Sequence, residues 1–188
     1  PLNSTLVRRD GKLRELVWRA GFDDAVPPGL YAGQIRAIVG HLEEAIPWAR
    51  PQTARALALL AHYYRTGNPI DFRAYNIAWV EDRDSAVDTI NGFIEVYLDA
   101  RGQKGAYEGL VYFNDPEKME MIAKIAASAG WFEGQMPYAE EFRKQQVKGI
   151  SAKAIEVVIA TGDAGPVGPI GINLPNAGDI VAACKEVL

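Results

Sequence analysis

Apolar residues recur at steps of three and four early in the chain, at Ile35, Ile38, Val39, Leu42 and Ile46, and Pro47 closes the run. That spacing is the stripe of an amphipathic helix. A second helix opens at Pro51, where proline gives up no donor the helix needs, carries Leu57, Leu60, Ala61 and Tyr64, and stops at Gly67. The two predict an antiparallel pair, with Trp18 and Trp48 as core or interhelix fillers. After Asn68-Pro69 the pattern changes to short aromatic and β-branched runs bounded by turn formers. Tyr75-Asn76-Ile77-Ala78-Trp79-Val80 fits either a strand or the end of a helix, because so short an apolar run does not fix its own period. Gly92-Phe93-Ile94-Glu95-Val96-Tyr97 and Gly109-Leu110-Val111-Tyr112-Phe113 read as strands of one sheet, joined through a loop holding Asp99, Gly102 and Gly105. Asp115-Pro116 starts a helix by the cap-then-proline rule, with Met119, Ile122, Ala123 and Ala126 along one side, and 139–146 reads as another. Extended structure returns over 154–160 before Gly162, Gly165, Pro166, Gly168 and Pro169 interrupt regular pairing.

These elements predict an α+β fold: N-terminal helices packed with a small mixed or antiparallel sheet or partial barrel, plus a helical excursion between strands. Composition agrees with a single globular core. Of 188 residues, 48% are hydrophobic and 23% charged, and a chain of this size buries roughly 70% of its unfolded surface without disulfides. The lone Cys184 rules out a disulfide framework and a multi-cysteine zinc site, and fits a reducing compartment. No apolar stretch approaches the ~18 residues of a membrane span, and Pro1-Leu2-Asn3-Ser4 lacks the basic-then-apolar start of a signal peptide. The expectation is a soluble, cytoplasmic protein with no membrane partner. A net charge of -4 offers phosphate backbones no global attraction, so no nucleic-acid partner is expected. Neither His41 nor His62 is followed at helical spacing by a second histidine, so the chain alone carries no recognisable metal site.

Two constellations carry chemistry. On a strand, Glu95 and Tyr97 point the same way while Ile94 and Val96 point the other. A carboxylate and a phenol so placed could grip a peptide's free amine and its neighbouring carbonyl; the alternative is a solvent-facing strand side. The second is the run from Gly162 to Asn176, whose prolines and glycines suit an irregular edge to which a peptide adds as a strand. Asn173 and Asn176 supply uncharged carboxamides able to orient an amine or a peptide bond; a structural turn is the alternative. The glycine pattern lacks the Lys-Ser/Thr ending of a phosphate loop. Asp82, Asp84 and Asp88 read as solvated acids, with no ordered oxygen-ligand loop. No Gly-x-Ser-x-Gly elbow occurs.

The same residues carry a resemblance. Asn3-Ser4-Thr5-Leu6-Val7, Tyr63-Tyr64-Arg65-Thr66-Gly67, Tyr75-Asn76-Ile77-Ala78-Trp79-Val80, Ile90-Asn91-Gly92-Phe93-Ile94-Glu95-Val96-Tyr97 and Gly171-Ile172-Asn173-Leu174-Pro175-Asn176 together resemble the bacterial form of the dipeptidyl peptidase III family, the M49 zinc metallopeptidases. The likeness runs nearly the whole chain. It implies part of a two-lobed enzyme that removes dipeptides from the free N-terminus of short peptides. Glu95, Asn173 and Asn176 then hold the substrate's amino terminus, and Tyr97 stabilises the scissile carbonyl as it becomes tetrahedral. Gly168, Pro169, Ile170 and Gly171 form the edge to which substrate backbone adds. Residues 1–115 and 154–188 correspond to the lower lobe, and 116–153 to an excursion toward the upper lobe.

The resemblance also implies a departure. The family's His-Glu-x-x-Gly-His motif, its further glutamate ligand and its upper-lobe histidine belong downstream of Leu188. Zinc is therefore expected in a full-length parent and no cofactor in this chain, whose partners would be short peptides and the missing catalytic lobe. Two readings follow: an inactive substrate-binding portion of the peptidase, or a naturally short, non-catalytic peptide-binding or interaction module.

Overall fold

The computed structural model describes residues 2–83, 85–147, 153–165, 168, 171–176, 178 and 180–182. The chain begins with a hairpin, β1 (Ser4–Arg9) and β2 (Lys12–Val17), paired antiparallel with Arg9 opposite Lys12. Asp10 and Gly11 make the two-residue turn with φ of 51° and 75°, the left-handed conformation that such a tight loop requires.

Three helices follow. α1 (Ala32–Ala45) buries Ile35, Val39 and Leu42, as its apolar period requires, and passes through a 3-10 turn at Ile46–Trp48 into α2 (Pro51–Thr66). α2 ends at Gly67, whose φ of 67° lets its N–H bond back to the carbonyl of Tyr63. Its other face meets α3 (Pro69–Glu81), capped by the Asn68 side chain accepting from the Ile70 N–H. This settles residues 75–80 as helix. Leu60, Ala61, Tyr64, Tyr75 and Ala78 form the centre of the helical core, with Phe93 joining it from the sheet. Trp18 packs edge-on against Phe93 as expected of a filler, but Trp48 is 90% exposed, because the 3-10 turn swings it outward at the α1–α2 corner.

The sheet has the order β3 (Val87–Phe93), β4 (Tyr107–Asn114), β5 (Ile155–Gly162), all antiparallel. β3 lies about one turn of chain earlier than the sequence pattern suggests, and Glu95 and Tyr97 fall beyond its end. Asp88 explains the offset. The hydropathy pattern reads it as solvated, yet it is buried, accepting hydrogen bonds from Trp79 Nε1 (3.0 Å) and Tyr112 OH (3.0 Å), with Lys153 Nζ 3.5 Å away. Asp82 is likewise buried against Thr53, and Asp84 lies outside the described residues.

Between β4 and β5 the chain makes the expected helical excursion. α4 (Pro116–Ala127) is capped by Asp115, which accepts from the Lys118 N–H, and leads into α5 (Ala129–Gly134). The helix expected over 139–146 is reduced to a 3-10 turn, Glu140–Phe142. α4 buries no residue completely, and Met121, Trp131 and Phe142 are well exposed. The excursion's two stems meet where Asp115 N–H bonds to the Ala154 carbonyl. Among the described residues no helix is long and apolar enough to cross a membrane.

Candidate functional site

After Phe93 the chain leaves the β3–β4 ladder. One further bond, from Ala106 N–H to the Glu95 carbonyl, keeps Glu95 beside the start of β4, and the chain then turns at Val96–Asp99. The Asp99 carboxylate accepts from the N–H groups of Gln103 and Lys104 and closes this loop. At the far edge β5 ends at Gly162, with φ of 66°; Asp163 N–H bonds the Tyr107 carbonyl, which brings the Asp163 side chain over the same end of the sheet. An extended strap, residues 171–176, crosses in front. Leu174 anchors the strap in the small apolar cluster of Ile90, Leu110 and Tyr112, and with Pro175 faces Phe72, Tyr75 and Trp79 of α3.

These three pieces border an open cavity of about 370 Å³, with Tyr97, Asn173 and Asn176 on its exposed side. Glu95, Tyr97, Asn173 and Asn176, the four residues singled out from sequence, all line it, and Gly171 contributes to its wall. Asn176 Nδ2 donates to Glu95 Oε1 at 3.0 Å. The Tyr97 phenol donates to the same carboxylate, and this hydrogen bond, then the charge of Glu95, raises its pKa above 10.0. Glu95 is thus the hub, although it and Tyr97 share a side through the loop after β3 rather than through strand alternation. Gly168 is exposed, and Pro169 and Ile170 lie outside the described residues.

Two further acids line the cavity, Glu108 and Asp163. Sequence reasoning missed both. Glu108 had a readable signal: it shares a β4 face with Leu110 and Tyr112, so it is a charged residue at a core-facing position. Burial, then the charges of Glu95 and Asp163, push its carboxyl up to about 7. The arrangement can hold a cationic group among carboxylates, while the Tyr97 hydroxyl and two carboxamides address adjoining polar atoms.

A family model described as peptidase family M49 matches residues 23–185. The chain belongs to peptidase family M49. Its relatives include dipeptidyl peptidase 3 of Rattus norvegicus, 27% identical over 82% of this chain and 21% of that protein, and that of Dictyostelium discoideum, 29% identical over 85% and 23%. The M49 chain is also similar in fold to the solved structure of DPP III from Caldithrix abyssi, with a TM-score of 0.81 at 21% identity over 97% of this chain and 33% of that one. DPP III from Corallococcus sp. strain EGB gives 0.72 at 23% identity. The chain spans about a fifth of the length of the curated relatives it matches.

M49 is a metallopeptidase family. Among the described residues of this M49 chain, no group of three or more His, Cys, Asp or Glu side chains could hold a metal ion. His41 is exposed beside Glu44, and His62 faces Asp71 on the helices, so neither approaches the cavity acids. The described residues do not fit a zinc centre.

Proposed function

We propose that this chain is the substrate-binding portion of a dipeptidyl peptidase III-type enzyme, which removes dipeptides from the free N-terminus of short peptides in the cytoplasm. The observation that supports this most is the convergence of Glu95, Tyr97, Asn173 and Asn176 on one cavity, with Asn176 hydrogen-bonded to Glu95. In this reading the peptide's ammonium group docks on Glu95, with the carboxamide oxygens of Asn173 and Asn176 accepting its remaining hydrogens. The Tyr97 hydroxyl turns to the carbonyl of the bond to be cut and donates to it as negative charge develops there. The backbone of residues 168–171 takes the peptide as an added strand. Zinc belongs to a part of the enzyme outside this chain, toward which the excursion at 116–153 extends, and the chain alone is inert.

Calorimetry with a short peptide, free and N-acetylated, tests the amine assignment. Pairing of an ammonium with a partly desolvated carboxylate is worth about 2 kcal/mol or more, so acetylation should weaken binding at least about thirtyfold. Equal affinity for both forms would sink the assignment. Dipeptide release from a peptide arylamide by the purified, zinc-supplemented chain would sink the inert reading, and an intact mass of the cellular gene product near 20.6 kDa would favour a short peptide-binding module instead.

A further inference from the structure

Glu108, the second residue of β4, stands opposite Gly92 of β3 and Gly162 of β5, so neither cross-strand neighbour has a side chain to pair with it. Its Oε1 is fully buried and accepts no hydrogen bond. The groups that face it are acidic or neutral from every side. Glu95 and the Tyr97 phenol come from the loop after β3, Asp163 follows β5, and the strap adds the carboxamides of Asn173 and Asn176, while Tyr107 turns to the other face and packs on the helical core. No Lys, Arg or His lines the cavity among the described residues, and the three acids do not form a group that could hold a metal. With no cation lining the cavity, ionising the partly buried Glu108 beside the charges of Glu95 and Asp163 is unfavourable.

We propose that Glu108 holds a proton in the empty cavity and gives it up to solvent when a peptide's ammonium group enters, so that recognition of a free N-terminus is coupled to proton release. The inference rests on the reading of the cavity as an amine site. The exchange balances: the neutral carboxyl becomes a carboxylate beside the incoming ammonium, one proton passes to buffer, and the summed charge of the cavity and its ligand stays what the empty cavity carried. The direction of the Glu108 shift, up to about 7, agrees with this. Below pH 7 the ammonium must displace a bound proton, so apparent affinity falls up to about tenfold per unit. Above about pH 8 the peptide's own amine loses its charge, so binding peaks between about 7 and 8.

The test is calorimetry of this chain with tetra-alanine at pH 7.0, in phosphate and in Tris, whose different ionisation enthalpies report the protons exchanged. About 0.5 proton should be released per peptide at pH 7 and close to one at pH 6. Glu108→Gln should abolish the release and flatten the acid limb of the peptide binding that remains. A carbon-13 titration of the glutamate carboxyls in the peptide-free chain gives an independent readout, with one midpoint near 7 that Glu108→Gln removes. Binding that needs a free N-terminus yet releases no proton overturns the proposal and leaves the amine site standing. A Glu108 midpoint at the ordinary glutamate value of 4.5 overturns it whether or not peptide binds. No binding, or equal binding of the acetylated peptide, removes the amine site and this inference with it.

Discussion

Replacing Asp88 by alanine should be among the most destabilising single changes in this chain. Its carboxylate is 3% exposed and accepts from Trp79 Nε1, from Tyr112 OH and from the backbone N–H of Thr89 at 2.7 Å, with Lys153 alongside. Alanine leaves the half-buried indole N–H and the buried phenol without an acceptor. Each orphaned buried donor costs about 1–3 kcal/mol, whereas the Lys153 ammonium, 28% exposed, can turn to water and adds little. The sum is about 4 kcal/mol, against a total stability on the order of 5–15 kcal/mol. Asparagine keeps an acceptor for Trp79 and should cost about 2 kcal/mol. Urea unfolding followed by tryptophan fluorescence measures both, and the alanine variant should melt about 10 °C lower. A loss under about 1 kcal/mol for alanine, or equal losses for alanine and asparagine, would refute the view that acceptor geometry at this one carboxylate holds α3 to the sheet.

Gly162→Ala should cost about 2 kcal/mol or more, since φ is 66° and a Cβ would stand 2.1 Å from the Tyr107 carbonyl oxygen. Gly171→Ala, with nothing within 4 Å of its Cβ, should change stability by less than about 0.5 kcal/mol in the same urea assay. Burial raises the pKa of Tyr63, Tyr64, Tyr75 and Tyr112 above 10.0. The folded chain therefore keeps protons that the unfolded chain loses, so this stability is complete below about pH 10 and falls above it by up to about 1.4 kcal/mol per unit for each tyrosine; a denaturation midpoint unchanged between pH 9 and 11 would contradict it. Asn173→Lys places a tethered ammonium in the acidic cavity, and should raise the melting temperature at pH 8 while abolishing the preference for a free over an acetylated peptide N-terminus, both read by thermal melts and calorimetry.

How much of this was legible in the sequence depended on whether a residue's environment is set locally. α1, α2 and the start of α4 could be read because their apolar stripes and caps, Pro51, Gly67 and Asp115-Pro116, act within one turn of chain. α3 could not, because it is covered by α2 on one side and by the sheet and strap on another, which scatters its buried residues Tyr75, Asn76 and Ala78 around the helix. The β1–β2 hairpin was missed although Asp10-Gly11 is a turn signal, because Arg8, Arg9, Lys12 and Arg14 mask the alternation on an exposed ribbon. The β3 boundary was displaced because the partners that make Asp88 a core residue, Trp79 and Tyr112, lie 9 and 24 positions away. In the cavity, Glu95, Tyr97, Asn173 and Asn176 were found from side-chain chemistry and resemblance. Glu108 was legible in the alternation of β4 with Leu110 and Tyr112 but was passed over, whereas Asp163 needed the register of three strands.

That register sets up an informative contrast along one face of the sheet. Asp88 pairs with Tyr112, Ile90 with Leu110, and Gly92 with Glu108, so two carboxylates stand at opposite ends of the same short stack with an apolar layer between them. At the Asp88 end the fold supplies what a buried acid needs: two side-chain donors, a backbone N–H and a lysine that arrives at the entry to β5. At the Glu108 end the corresponding cross-strand positions are glycines, the nearest charges are two more acids, and one oxygen is left without a donor. A chain that can satisfy a carboxylate so completely two pairs away is under no general constraint that forbids it at the other end. On the proposed reading of the cavity, the unsatisfied Glu108 oxygen is completed from outside by a compact cation with several hydrogen-bond donors, the chemistry of a peptide's N-terminal ammonium.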